Sequence, residues 1–242
     1  MANRQEQKAQ RKAAREQAAR EQAARAKRAR LLQFGVGGLL VVAILAGLIV
    51  LSTTSGDGGD DGPIAAGGED DEALADVRLP PQQFEELEAA VEASGCVFEE
   101  AENQGGEHVT EDVPLDYYNT NPPSSGTHDP TPAQDGVYPA GSPPPHEGWL
   151  HSLEHGRIVF QYRPETSQEQ VDRLRALTQE PVRGAPGGYH TLVMENKTEM
   201  PYAFAAVNWT RVLGCQELSP ASIDAMRLFR EEFTDDAPER VP

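Results

Sequence analysis

The sequence predicts a small α+β (α/β) domain with a mixed sheet, located outside the cell membrane and preceded by one transmembrane helix. Three observations support this prediction. An uncharged apolar segment separates a basic N-terminal arm from an acidic remainder. Helical and strand-like patterns alternate in the second half of the chain, as is typical of layered α/β and α+β domains. A long Pro/Gly-rich stretch with several aromatic residues precedes them and is expected to form an ordered loop.

The apolar segment comprises residues 31–51, in which Gln33 is the only polar side chain. As a helix it would span about 30 Å, the thickness of the hydrocarbon layer. Residues 1–30 carry ten Lys or Arg and three Glu, whereas residues 52–242 carry 36 acidic and 11 basic side chains, a net charge of −25. The positive-inside rule therefore predicts a cytoplasmic N-terminus. A cleaved signal peptide is the alternative, but the leader is long and no Ala-x-Ala site follows it.

This pattern divides the chain into four regions. Residues 1–30 are predicted to be a basic cytoplasmic arm, 31–51 a transmembrane helix, 52–76 an acidic Gly-rich linker and 77–242 an extracytoplasmic α/β domain. The lipid bilayer is the expected partner of the apolar segment, and an envelope protein is a further candidate partner. The strongly negative domain argues against binding of nucleic acid, because it would repel the phosphate backbone.

The first predicted element of the domain is a helix over residues 82–94. Phe84, Leu87 and Val91 lie on one helical face, and Gly95 is expected to end the helix. The following stretch, 97–148, contains many Pro and Gly residues, which exclude long helices and central strands. Its aromatic residues indicate that this loop is nevertheless packed.

The second half predicts three strands and two helices. Strands are expected at 157–162, 189–195 and 203–213. A capping box at 166–169 predicts a helix that runs to about Gln179, and Ser219-Pro220 predicts the start of a last helix. The pattern leaves the strand order open.

The two cysteines, Cys96 and Cys215, both lie on the predicted outer side of the membrane, where disulfides persist. We expect them to be bonded. Such a bond would close a span of 119 positions (215 − 96) and contribute roughly 4–5 kcal/mol in a chain-entropy model. The alternative is a pair of buried free thiols. Neither cysteine belongs to a CxxC motif, which argues against a redox site or a Cys-rich zinc site.

A histidine-rich pattern provides the candidate site. In the segment 151–155, His151, Glu154 and His155 would share one face of a helical turn. His128, in the Pro/Gly-rich loop, could complete a site with them, and His108 is a further candidate. Imidazole and carboxylate ligands suit Zn²⁺ or Cu²⁺, so these five residues are predicted to bind a transition metal.

Other interpretations of this pattern remain open. His-x-x-Glu-His is also the inverted zinc-protease motif, but Gly156 ends the turn before the long helix that such enzymes use. A hydrolase that uses Ser125 or Ser152 is weakly indicated, because no Gly-x-Ser-x-Gly motif is present. The histidines could instead form a structural hydrogen-bond network that pins the loop to the sheet. His146, expected to be exposed, and His190, expected to begin a strand, are left outside the site.

Several of these motifs together resemble a bacterial membrane-anchored family, Domain of Unknown Function 3105. The resemblance covers about residues 95–215 and the anchor. It is carried by Gly95-Cys96, Gly106-Glu107-His108-Val109, Tyr118-Asn119-Thr120-Asn121-Pro122-Pro123-x-Ser125-Gly126-x-His128 and His151-x-Leu153-Glu154-His155-Gly156. Ser124 and Thr127 depart from the usual Thr and Pro. The resemblance implies a location at the bacterial cell membrane and no particular activity.

These observations lead to a single-pass membrane protein whose extracytoplasmic domain binds Zn or Cu without catalysis. The first alternative is an envelope interaction or scaffold domain with structural histidines. The second is a metal-dependent hydrolase. The residues favour a protein that is not an enzyme, but they do not decide the question.

Overall fold

The structure is a computed structural model that describes residues 74–239. They form a mixed α+β fold with one six-stranded sheet and four helices, which confirms the predicted α+β class and mixed sheet. The elements in chain order are α1 (Leu87–Ser94), β1 (Val97–Glu100), β2 (Gly136–Val137), α2 (His146–Glu154), β3 (Ile158–Tyr162), α3 (Gln168–Thr178), β4 (Thr191–Glu195), β5 (Phe204–Asn208), β6 (Arg211–Cys215) and α4 (Pro220–Phe233), with a 3₁₀ turn at Leu115–Tyr117.

The sheet has the strand order β1-β6-β5-β3-β4-β2. The pairs β3–β4 and β4–β2 are parallel, whereas β1–β6, β6–β5 and β5–β3 are antiparallel. Helix α3 connects the parallel strands β3 and β4, as such a connection requires a crossover. The parallel strands β3 and β4 lie inside the sheet, and β1 and β2 form its edges.

Alternate residues of β3 point to opposite faces of the sheet. On one face, Phe160 joins an apolar cluster with α1, α3 and α4, which we call the helical face. On the other, Val159 packs with α2 and with aromatic residues of the loop 101–145, which we call the loop face. The domain thus has three layers. The aromatic side chains Tyr118 and Tyr138 are buried as the sequence predicted, whereas Tyr117 is exposed.

The prediction of one strand over 203–213 is wrong. The segment forms the hairpin β5–β6, with Trp209 and Thr210 between the strands. Thr210, the second residue of this turn, has a φ of 65°, in the left-handed region that type II turns require at that position. Sequence reasoning missed the turn because apolar and β-branched residues continue through it, without the usual Gly or Asn-Gly signal.

Three further elements, β1, β2 and α2, were not predicted as such. Strand β1 leaves three of its four residues exposed, so it has no alternating apolar pattern. Helix α2 begins directly after three prolines, with Pro145 as its N-cap, and is longer than the single helical turn expected at 151–155. A proline immediately before a helix is compatible with its start, because the first N–H groups have no intrahelical partner.

The predicted C-terminal ends of α1 and α3 and the predicted start of α4 agree with the structure. The predicted start of α1 at residue 82 is wrong, because the helix begins at Leu87. The predicted capping box at 166–169 is also absent, since α3 has Ser167 as its N-cap and no side-chain cap hydrogen bond. Gly95 terminates α1 with a φ of 68°, and α3 ends one residue before the predicted Gln179. At the start of α4, Ser219 Oγ accepts a hydrogen bond from the Ser222 amide at 3.2 Å, and Pro220 occupies the first turn. The predicted Cys96–Cys215 disulfide is present and joins the segment after α1 to the end of β6.

Among residues 74–239, no helix is both long and apolar enough to cross a bilayer. The predicted arm 1–30, the predicted transmembrane segment 31–51 and residues 52–73 of the predicted linker lie outside the described residues.

Candidate metal centre

Helix α2 supplies two side chains of the cluster from its last turn. His151 and Glu154 are three positions apart, so they lie on one helical face, as predicted. Gly156, with a φ of 82°, ends the helical segment. A Cβ at this glycine would lie 2.7 Å from Asp235 Cα, so the close approach of the C-terminal segment also requires glycine.

The loop supplies the other two side chains from neighbouring extended segments. His108 and His128 form a parallel β-bridge. The Val109 amide donates to the His128 carbonyl at 2.8 Å, and the His128 amide donates to the Glu107 carbonyl at 2.9 Å. These backbone bonds place the two imidazoles side by side without a regular strand, so a Pro/Gly-rich segment can still position them.

The four side chains meet above the C-terminal turn of α2. One ligand atom from each of His108, His128, His151 and Glu154 lies within 4.8 Å of all the others. His128 is 0% exposed, and His151 and Glu154 are also buried. The His108 side chain is 40% exposed. The cluster therefore has three buried members and one that faces solvent.

The backbone determines which ring nitrogen of two histidines carries a proton. His128 Nδ1 lies 2.8 Å from the Gly126 carbonyl, and His151 Nδ1 lies 2.7 Å from the Asp129 carbonyl. A carbonyl oxygen only accepts, so each Nδ1 donates an N–H. In the neutral ring, Nε2 then keeps a lone pair, which faces Glu154 Oε2 in His128 and His155 Nε2 in His151. Metal-binding histidines in proteins usually have this arrangement.

Glu154 lies between the two loop histidines. Its Oε2 is 3.1 Å from His128 Nε2 and 3.3 Å from His108 Nε2. Because His128 Nδ1 already holds the ring proton, the contact between His128 Nε2 and the carboxylate joins two acceptors. A second proton or a cation has to lie between them for this contact to be favourable.

Burial favours neutral imidazole in this region. It lowers the pKa of His128 from its usual value of 6.5, although the hydrogen bond to Gly126 and the charge of Glu154 act in the opposite direction. Burial also lowers the pKa of His155, and the neighbouring His151 lowers it further. Neutral imidazole is the form that binds metals.

His155, one of the predicted ligands, contacts the cluster but does not belong to the group of four. Its Nε2 lies 3.0 Å from His151 Nε2 and 3.5 Å from Glu239 Oε2. Since His151 Nε2 holds a lone pair, His155 Nε2–H is the donor in the first contact. His155 thus connects the cluster to the C-terminal segment, whose Glu239 amide donates to the Glu154 carbonyl.

Sequence reasoning missed the residues that shape the site through the backbone. A Cβ at Gly106 would lie 2.1 Å from Glu154 Oε1, so only glycine leaves room for the carboxylate. Gly126 and Asp129 act through their carbonyl groups. Gly106 and Gly126 belong to the motifs of the family resemblance, so the sequence singled out these positions. It did not show the contacts that require glycine or its carbonyl there.

The histidines that were left outside the site lie outside the cluster. His146 is half-buried and not exposed as predicted, because its Nε2–H donates to the Val113 carbonyl at 2.8 Å. His190 lies just before β4, with a φ of 46°, and its Nδ1 contacts Asp235 Oδ1 at 2.6 Å.

Comparison with known families now adds to this geometry. The family model described as protein of unknown function DUF3105 matches residues 108–240. The chain belongs to the DUF3105 family. The matched part begins at His108 and includes every member of the cluster. Comparisons with curated proteins and with solved structures gave no match.

Proposed function

We propose that this DUF3105 domain binds one transition-metal ion, Zn²⁺ or Cu²⁺, through His108, His128, His151 and Glu154, without catalysing a reaction. The proposal includes an anchor at residues 31–51 and a location of the domain on the outer side of a bacterial cell membrane. The observation that carries it is the contact between Glu154 Oε2 and His128 Nε2, whose ring proton is held on Nδ1 by a carbonyl, because a cation makes this contact of two acceptors favourable. Binding of an ion by His151 Nε2 would replace its hydrogen bond from His155.

The distances in the cluster support this proposal. Ligand atoms about 2.0–2.1 Å from a tetrahedral ion lie about 3.3–3.4 Å apart. The contacts of Glu154 Oε2 with His128 and His108, at 3.1 and 3.3 Å, are close to that spacing. Other ligand atoms of the cluster are up to 4.8 Å apart, so all four can bind one ion only if these atoms move closer together. The partly exposed His108 side chain can supply this movement.

The donor atoms indicate the class of metal. Imidazole nitrogens with one carboxylate suit Zn²⁺ and Cu²⁺, whereas Cu⁺ prefers sulfur ligands. Both cysteines are occupied in the disulfide. The net charge of −25 over residues 52–242 attracts cations.

The proposal excludes catalysis by the two candidate serines. Ser152 Oγ donates to the Ala133 carbonyl at 2.9 Å, and Ser125 Oγ accepts from the Gln104 amide at 3.1 Å. Both side chains are buried. Their hydroxyl groups thus serve the packing of the loop.

The competing function is an envelope scaffold in which the histidines are structural. The contact of His151 with Asp129 favours it, because it fixes the loop to α2 without any ion. In that case a proton occupies the contact between His128 and Glu154. Metal binding and an envelope scaffold predict different results when metal is removed or when a histidine of the cluster is replaced.

Elemental analysis of the full chain tests the proposal. The untagged protein is purified in a mild detergent, incubated with Zn²⁺ or Cu²⁺ and desalted, beside the His151→Ala and His146→Ala variants. We expect about one ion per chain in the wild type and in His146→Ala, and loss of the ion in His151→Ala. Removal of a ligand should weaken binding by more than the roughly 10–100-fold typical of outer-shell groups. A folded wild type without stoichiometric metal would support the scaffold instead.

A further variant separates the role of His155 from that of a ligand. Glutamine at position 155 removes the imidazole, whose Nε2–H otherwise competes with an ion for the lone pair of His151 Nε2. We expect His155→Gln to retain the ion. Loss of the ion with intact folding would show that His155 belongs to the ligand set.

A further inference from the structure

A cavity of about 390 Å³ lies on the loop face, between the first turn of α2 and the loop. Helix α2 lines it with Glu147 and Gly148, and the loop lines it with residues 110–112, Asp129 and 131–133. Its volume is within the range of about 300–1,000 Å³ typical of sites for small organic ligands. The cavity therefore has room for an organic molecule.

The side chains around this cavity carry one sign of charge, so we call it the acidic cavity. Its four acidic residues are Glu111, Asp112, Asp129 and Glu147, and the described residues that line it include no Lys, Arg or His. None of the four forms an ion pair with Lys or Arg in the part of the chain that the structure describes. A cleft lined by one sign of charge concentrates ions of the opposite sign.

Glu147 offers a buried carboxylate oxygen that is still accessible. The residue is 8% exposed, and its Oε1 accepts a hydrogen bond from the Val113 amide at 3.0 Å. Its Oε2 has no hydrogen-bond partner among the described residues. The fully buried side-chain atoms that lack a partner do not include Oε2, so this oxygen retains accessible surface. Because Glu147 lines the cavity, a ligand there can donate to Oε2.

The arrangement of the carboxylates does not suit a single metal ion. Among the described residues, the histidine cluster is the one group of three or more possible ligands with atoms close enough to hold an ion. The four acidic side chains of the cavity are too far apart to meet this condition. They suit a ligand whose positive charges are themselves separated.

The walls between the acidic side chains are apolar. They are formed by Pro132, Ala133, Pro144 and Pro145. Backbone bonds hold the two sides together, since the Ala133 amide donates to the Gly148 carbonyl at 2.9 Å. Methylene groups pack well against such walls, whereas a hydrated ion gains nothing from them.

From these observations we propose that the acidic cavity binds an aliphatic polyamine, with one ammonium group donating to Glu147 Oε2. The other ammonium groups pair with the more exposed carboxylates of Glu111, Asp112 and Asp129, and the methylene segments lie against the prolines. This site is independent of the metal proposed above, because it shares no ligand side chain with the histidine cluster.

Calorimetric titration of the full chain tests this proposal. The untagged protein is purified in an uncharged detergent, freed of metal ions with a chelator and desalted. Spermidine is the probe, and Mg²⁺ at the same ionic strength is the control cation. We expect saturable binding of spermidine that Mg²⁺ does not displace. In the ¹⁵N-labelled protein, spermidine should also shift the amide signal of Val113, which donates to Glu147.

Charge-neutralising variants locate the binding. Glu147→Gln keeps an acceptor for Val113 and removes the charge, so spermidine should bind about tenfold more weakly, as expected for a lost charge-assisted hydrogen bond. The exposed pair Glu111→Gln/Asp112→Asn should weaken binding by about threefold. Glu88→Gln/Glu92→Gln is the matched control, because it removes two exposed charges from α1, on the helical face.

The control pair also measures binding to acidic groups elsewhere in the chain, such as residues 52–76. If Glu147→Gln does not fold, the pair Glu111→Gln/Asp112→Asn decides alone. The proposal is overturned if spermidine binds no better than Mg²⁺, if the Val113 amide does not shift, or if the cavity variants bind like the control pair.

Discussion

The two faces of the sheet are held by different interactions. On the helical face, α1, α3 and α4 pack through fully buried apolar side chains such as Phe160, Leu174 and Phe229. On the loop face, apolar packing continues under α2, but the loop itself is held by hydrogen bonds from His128, Asn121 and Tyr118. Many residues can fill an apolar core of the right volume, whereas each polar contact depends on one side-chain type.

This difference explains where the candidate sites lie. A loop without a backbone ladder needs side chains to satisfy its buried polar groups. The same side chains are then rigid and preorganised. Both the histidine cluster and the acidic cavity lie on the loop face. The helical face supplies stability to the sheet on which these sites are built.

The largest expected effect is on the helical face. Phe229 is 0% exposed and packs against Phe98 and Phe233. Phe229→Ala should lower the free energy of unfolding by about 3–5 kcal/mol, because it leaves a cavity. Urea denaturation of the full chain in detergent measures the loss. Leu228→Ala, at a half-buried position of the same helix, should cost less. Equal losses in both variants would contradict an apolar core centred on Phe229.

Reduction of the disulfide should have the next largest effect. Breaking the Cys96–Cys215 bond is expected to lower stability by about 2–5 kcal/mol, mainly by freeing the unfolded chain. Thermal melting with and without a reductant measures it. The double variant Cys96→Ser/Cys215→Ser should melt lower and show no further response. Two free thiols titrated in the native wild type would disprove the bond.

The stability of the folded protein should depend on pH through the histidines of the loop face. The folded pKa values of His128 and His155 are lowered, so the folded protein binds fewer protons than the unfolded chain below about pH 6.5. Stability should therefore fall as pH decreases from 7 to 5, by at most about 1.4 kcal/mol per pH unit per histidine. Denaturation at several pH values measures the slope, and added Zn²⁺ should steepen it. His155→Gln should reduce the slope, and an unchanged melting temperature from pH 7 to 5 would contradict the prediction.

The smallest effect on stability is expected for a substitution that disturbs the metal site and leaves the rest of the fold intact. In Gly106→Ala, the new methyl group would displace the Glu154 carboxylate. We expect the affinity for Zn²⁺ to fall by about tenfold or more, as for other changes around metal ligands, with little loss of stability. Gly148→Ala in α2 is the matched control, since its Cβ would meet nothing closer than 3.6 Å. If both variants bound Zn²⁺ equally well, Glu154 would have no part in the site.

Much of this protein follows from local sequence signals. The turn at Gly95, the cap at Ser219 and the central strand at 158–162 were predictable because each depends on neighbouring residues alone. The helical spacing of His151 and Glu154 was predictable for the same reason. The hairpin at Thr210 and the exposed edge strand β1 were missed, because the first has no turn signal and the second no apolar alternation.

The sequence by itself therefore indicated the α+β class, the disulfide and five candidate ligands, of which four form the cluster. Only the tertiary structure decided the order of the six strands and the division into two faces. It also decided which ring nitrogens face the cluster, and it brought Gly106 against Glu154 and Asn121 against Thr198. The physical reason is that these contacts join residues far apart in the chain, so no local pattern encodes their distance or direction.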